Sequence, residues 1–197
     1  MPINPKYLAK FESEGYCHIF NRSNSGRLMF TNDAHYTYFL TLMKRYLSPY
    51  FNFYAYCLLP NHFHLFLQVK KDAFEESIVN DACVKQFTYL FVTYTLSLNK
   101  ESNNHGGIFS TPFRRVSVKD DHQFSQLMYY IHCNPVHHNI ANSCTDYKQS
   151  SYSSFLSSQP TLLLRDEVLD WFGGLIKFKE YHCLFDGHYT SKAWLIE

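Results

Sequence analysis

The chain has 197 residues, of which 46% are hydrophobic, 18% aromatic and 18% charged. That make-up fits one packed globular domain with at most an appendage, and it excludes wholesale disorder; with 7 Gly and 7 Pro it also excludes collagen-like or linker-dominated chains. A formal net charge of +1 does not announce a generally basic nucleic-acid binder, so any such role must rest on a local patch.

Met-Pro-Ile-Asn-Pro-Lys-Tyr-Leu at the start lacks the apolar core of a signal peptide. No run approaches the ~20 apolar residues of a membrane span, and a cytoplasmic location is expected. Residues 16 to 22 read as a first strand, followed by a turn cluster from Ser23 to Gly26. Asn32-Asp33 can cap a helix to about Leu47, with Tyr36, Phe39, Leu40, Met43 and Leu47 at helical spacing. Ser48-Pro49 stops it. The aromatic-rich residues 51 to 59 and the run from His62 to Val69 read as two strands of a hairpin, joined tightly at Pro60-Asn61. A long helix is expected from about Phe74 to Leu98, then a polar loop from Asn99 to Gly107. Phe113 to Val118 alternates as a fourth strand. Asp120-Asp121 can cap a helix to about Cys133, where Pro135 limits continuation. Residues 142 to 159 are Ser-rich and read as a loop or extension rather than a second domain, before a short helix from Leu162 to Phe172 closed by Gly173-Gly174 and a last helical piece from Leu175 to Phe185. This order predicts an α+β fold: an antiparallel sheet with helices packed on one face in a split β-α-β arrangement, plus a small helical C-terminal extension.

The six cysteines, at 17, 57, 83, 133, 144 and 183, form no C-x-x-C and no zinc-finger spacing. They read as isolated thiols of a reducing compartment.

The densest polar information is Pro60-Asn61-His62-Phe63-His64-Leu65. On a strand, His62 and His64 point the same way, with Cα atoms roughly 6.5 Å apart. Two imidazoles on one face can take two positions of one metal ion; equally, they can be surface residues. Farther on, Tyr130 and Asn134 in Tyr129-Tyr130-Ile131-His132-Cys133-Asn134-Pro135 are i and i+4 and share a helix face. A phenol can attack an electrophile and a carboxamide oxygen can ligate a hard metal. A packed ring and a capping amide are the plainer alternative.

Taken together, the two stretches resemble the REP-associated tyrosine transposases, within the single-tyrosine HUH transposases. The resemblance rests on Tyr56-Cys57-Leu58-Leu59-Pro60-Asn61-His62-Phe63-His64-Leu65 and Tyr130-Ile131-His132-Cys133-Asn134-Pro135-Val136. Weaker matches are Phe20-Asn21-Arg22, Phe109 through Arg115, and Tyr152-Ser153-Ser154-Phe155, in family order over about residues 16 to 156. Ser23 stands where glycine is common, and His137-His138-Asn139 where a basic residue and glycine are frequent.

The resemblance implies a ferredoxin-like catalytic fold. It implies nicking and rejoining of single-stranded DNA near hairpins through a 5′-phosphotyrosine intermediate. Tyr130 is then the nucleophile and His62, His64 and Asn134 hold Mg2+ or Mn2+, although two imidazoles would equally suit zinc. Asn21, Arg22, Arg114 and Arg115 are the candidate DNA contacts. The partner would be single-stranded DNA with palindromic hairpins, and the protein a monomer or homodimer. Residues 1–141 would form the catalytic domain and 142–197 the extension. The competing readings are a catalytically silent hairpin-binding protein and a structural metal-binding module.

Overall fold

The computed structural model describes residues 4–24 and 26–184. Four strands, β1 (Tyr16–Arg22), β2 (Phe51–Leu59), β3 (His62–Val69) and β4 (Arg114–Val118), form one antiparallel sheet in the order β2-β3-β1-β4. Helices α1 (Asp33–Tyr46) and α2 (Val79–Ser102) supply the crossovers, and α3 (Asp121–His137) follows β4. This is the ferredoxin-like α+β arrangement. Three short helices, α4 (Tyr152–Phe155), α5 (Arg165–Phe172) and α6 (Leu175–Leu184), make the C-terminal extension. Phe185, the expected end of the last helix, lies outside the described residues.

Alternation along β3 assigns the two faces of the sheet. Phe63 packs on Phe39 of α1 and Phe91 of α2, with ring centroids 5.4 and 5.9 Å apart. His64 and Phe66 face the other way, against Tyr130 and Phe124 of α3 at 5.3 and 4.8 Å. Helices therefore cover both faces, not one. The reason is visible in the burial of β3: Phe63, His64, Leu65, Phe66 and Leu67 are all buried, and a strand so apolar on both sides must be covered twice. Each fully buried phenylalanine contributes about 1.5–3 kcal/mol to holding these layers together.

Helix boundaries differ from the expectation in two places. α2 begins at Val79, not near Phe74. Before it, Asp72 takes a left-handed φ of 55°, and the ring of Phe74 stacks on Tyr50 at 4.5 Å, so the chain turns there rather than winding. At its far end α2 runs on to Ser102, closed by Asn103 in the left-handed region with its N–H on the Asn99 carbonyl. α3 passes through Pro135 to His137. Proline fixes a helical φ and removes one N–H; His138 still donates to the Asn134 carbonyl at 3.1 Å, so the last turn survives. Asn134 consequently stays in helical register with Tyr130.

Both sheet edges are covered. Ala9 donates its N–H to the Arg115 carbonyl beside β4 at 3.2 Å. Along β2, Leu58 donates to the Gln149 carbonyl at 3.0 Å, and Ser151 exchanges two bonds with the Tyr56 backbone, each 2.9 Å. The Ser-rich segment is thus no free loop: Ser150, Ser151, Tyr152 and Phe155 are buried. From there a directional chain runs inward. Ser151 Oγ accepts from Tyr56 N–H and donates to His132 Nε2 at 2.9 Å. His132 Nδ1 donates to His182 Nε2 at 2.9 Å, and His182 Nδ1 donates to the Phe178 carbonyl at 2.8 Å. Every polar atom along it is used, which lets two histidines sit neutral in the core. Among the described residues no helix is long and apolar enough to cross a membrane.

Candidate active site

The face of the sheet under α3 opens at one end into a cleft of about 220 Å³ whose lining includes Phe20, Arg22, His62, His64, Arg114, Tyr130 and His138. Strand pairing explains the gathering. Phe20 is the register partner of both His64 on β3 and Arg114 on β4, and Arg22 pairs with His62. All these residues alternate onto one face. α3 lies over that face and brings Tyr130 and Asn134 down on it.

His62 Nε2 lies 3.0 Å from Asn134 Oδ1, and its Nδ1 lies 2.7 Å from Asn61 Oδ1. His64 is 4% exposed, so the plain surface reading of this histidine is excluded. Burial first, and then the neighbouring imidazoles of His18, His62 and His138, hold His64 well below the usual histidine range. Its ring is neutral at physiological pH and keeps a lone pair for a cation. Tyr130 is 5% exposed and stands edge-on to His64. Tyr129 is turned away, its ring 6.0 Å from that of His182.

The chemistry of the donor set tests the fit of a divalent ion. In the tautomer that donates Nδ1–H to Asn61 Oδ1, His62 turns its Nε2 lone pair toward Asn134 Oδ1, and a cation between these two atoms, 3.0 Å apart, would relieve their repulsion. The spacing matches the ligand–ligand edge of an octahedral site with bonds of about 2.1 Å, which is about 3 Å. The Nδ2 atom of Asn134 is buried with no hydrogen-bond partner, so the amide is not held in place by a competing bond there. Among the described residues no group of three or more His, Cys, Asp and Glu side chains is placed to hold a metal. The groups this face does bring together are two imidazoles, with ring centroids 5.3 Å apart, and a neutral amide oxygen.

The four candidate DNA contacts are not alike. Arg22 is exposed, and Arg114 shares the histidine face, with its guanidinium 5.8 Å from the Phe20 ring centroid. Asn21 is 3% exposed, and both ends of its amide are taken by the Ser110 backbone at 3.0 Å. Arg115 points to the opposite face, its guanidinium 4.9 Å from the Phe113 ring centroid and 5.3 Å from that of Phe11. Burial lowers its pKa, partly offset by Cys17 and Cys83. The sequence places the two arginines on opposite faces; the register shows which one reaches the cleft.

Two further histidines complete the wall. His138, the residue after α3, packs its ring 4.6 Å from that of His62. His18 on β1 is fully buried behind His64, with its Nε2 2.9 Å from His64 Nδ1. The signal for His18 was its parity with Phe20 and Arg22 on the first strand, but only the β1–β3 register makes it a neighbour of His64.

No family model matches the chain. In sequence it is similar to a protein of Haemophilus influenzae described as a REP-associated tyrosine transposase, with 26% identity over 107 residues; the match takes in 50% of this chain and 57% of that protein. In fold it is similar to a REP-associated tyrosine transposase whose structure was solved bound to a REP hairpin, with a TM-score of 0.63 at 15% identity over 81% of this chain and 89% of the other. Sequence and fold thus point to the same class of protein.

Proposed function

We propose that this protein nicks and rejoins single-stranded DNA beside a hairpin, with Tyr130 as nucleophile. The observation that carries the reading is the convergence of Tyr130, His62 and His64, from one helix and one strand, on a cleft edged by Arg22 and Arg114, with Asn134 Oδ1 3.0 Å from His62 Nε2. The similarity to a protein seen on a REP hairpin supports the choice of DNA as substrate.

The scissile phosphodiester enters the cleft beside the Tyr130 hydroxyl and the histidine pair. The Tyr130 oxygen forms a bond to phosphorus while the bond from phosphorus to the 3′ oxygen breaks. The phenolic proton is lost to solvent and the departing oxygen gains one, which leaves a 5′-phosphotyrosine and a free 3′-OH. One phosphodiester replaces another, so the step is nearly isoenergetic and reverses for rejoining. His62, His64 and Asn134 would hold Mg2+ or Mn2+, which supplies charge stabilisation at the phosphoryl oxygens. Arg22 and Arg114 contact phosphates and set the strand's path. Packing against His64 holds the Tyr130 ring at a fixed angle, which lowers the entropy lost on reaching the attack geometry.

The test is incubation with an oligonucleotide carrying a hairpin and a single-stranded flank, in the presence of Mg2+. A covalent protein–DNA adduct that resists denaturation is expected. Binding of the hairpin with no adduct would instead favour a catalytically silent hairpin binder.

A further inference from the structure

We infer that His18 is a positioning residue that fixes the tautomer of His64, turning the His64 Nε2 lone pair into the cleft. The inference rests on the reading of His64 as a metal ligand.

The argument starts from the sheet. His18 pairs with Phe66 and Phe20 pairs with His64, so His18 and His64 are diagonal neighbours on the α3 face. Their rings lie nearly parallel, with centroids 5.1 Å apart and planes at 21°, and Phe20 stacks on both, 4.8 Å from His18 and 5.8 Å from His64. The stack leaves little room for either ring to turn. His18 Nε2 is then 2.9 Å from His64 Nδ1.

At 2.9 Å a hydrogen bond between these two nitrogens needs one ring to donate and the other to accept. A neutral His64 carries a single N–H. If that proton sits on Nε2, it points into the cleft and blocks coordination. If it sits on Nδ1, it needs an acceptor, and His18 Nε2 is at hydrogen-bond distance. The same relation recurs wherever a histidine binds metal: the far nitrogen is tied to an acceptor, which fixes the ring and raises the basicity of the near one. Here the acceptor is a second imidazole. A carboxylate at this depth would bring a charge into the interior, whereas the fully buried imidazole of His18 can accept the bond without one. Neither the H-x-H spacing nor the tyrosine motif refers to His18.

The test uses the full chain in three forms: wild type, His18→Phe and His18→Gln. Phe keeps the flat ring but has no acceptor; Gln restores an oxygen acceptor. Calorimetric titration with Mn2+, without DNA, is expected to show His18→Phe binding 10–100-fold more weakly and His18→Gln recovering most of that loss. Wild-type affinity in His18→Phe would overturn the inference, as would a loss in His18→Gln equal to that in His18→Phe. Long-range 1H–15N spectra of the metal-free wild type give an independent arm, which decides the matter even if His18→Phe does not fold. They should show His64 protonated on Nδ1; protonation on Nε2 overturns the inference. If wild type binds no Mn2+, the metal reading falls, and the tautomer spectrum still decides the role of His18.

Discussion

The ring of Tyr130 stands edge-on to that of His64, with centroids 5.3 Å apart and planes at 85°. The helix that carries the phenol and the strand that carries the imidazole are thereby locked in one relative position.

Tyr130→Phe removes the phenol oxygen and little else. It should abolish the covalent DNA adduct while leaving hairpin affinity in place. Tyr129→Phe, on a ring packed toward His182, should form adduct like wild type. Mass spectrometry of the trapped adduct is the check, and a nucleotide found on Tyr129 would reverse the assignment.

Chelation should stop cleavage, with Mg2+ or Mn2+ restoring it. His62→Ala and His64→Ala should each weaken metal binding and activity. Asn134→Ala should act more mildly, because water can replace a neutral amide oxygen at the ion. Manganese titrations of the three variants measure the order. Full activity in both histidine variants would remove the metal from the reaction.

The arginine pair should separate. Arg114→Ala is expected to weaken binding of a flanked hairpin across sequences and to lower the slope of log K against log salt by about 0.7, the share of one phosphate contact on a single strand. Arg115→Ala, which removes a guanidinium packed on Phe11 and Phe113, should leave the slope alone and lower the melting temperature instead. Anisotropy titrations at several salt concentrations, with thermal melts alongside, test both halves. A changed slope in Arg115→Ala would put the DNA on the opposite face of the sheet.

Acid should loosen the C-terminal helices. Burial holds His182 at about pKa 4, against 6.5 for a free ring. The unfolded chain therefore takes up the proton first as pH falls. The stability linked to this group is complete above about pH 6.5 and is lost progressively toward pH 4, to a total of about 3 kcal/mol. The groups around it are His132 and the rings of Tyr129, Tyr152, Phe172, Phe178 and Tyr181. Urea denaturation of wild type and His182→Gln between pH 7.5 and 4.5 should show a shallower dependence in the variant. Equal slopes would assign the acid sensitivity elsewhere.

Local pattern made the hairpin readable. Two aromatic-rich runs around Pro60-Asn61 define β2 and β3, and alternation alone places His62 and His64 together. The spacing of Tyr130 and Asn134 reads as a shared helix face because Pro135 spoils only one hydrogen bond. What depends on long-range register could not be read. His18 becomes a neighbour of His64 only when β1 and β3 pair as they do. Nor does adjacency in the sequence say which of Arg114 and Arg115 reaches the cleft. The residues from Asn99 to Ser102 look like a loop because they are polar, yet they form the solvated last turn of α2. The second helical layer was hidden because an apolar run such as β3 looks the same whether it is covered once or twice.

Ser151 ties three parts of the chain in one atom's reach: the backbone of Tyr56 on β2, the ring of His132 on α3 and, through that ring, His182 on α6. In terms of modularity, the C-terminal extension is not a detachable cassette. A graft that exchanges it for the tail of a relative must carry matching positions on β2 and α3, or it leaves buried donors and acceptors of the tyrosine helix with nothing to bond. Sequence drift in the tail is thereby coupled to the helix that carries Tyr130, although the two are far apart in the chain.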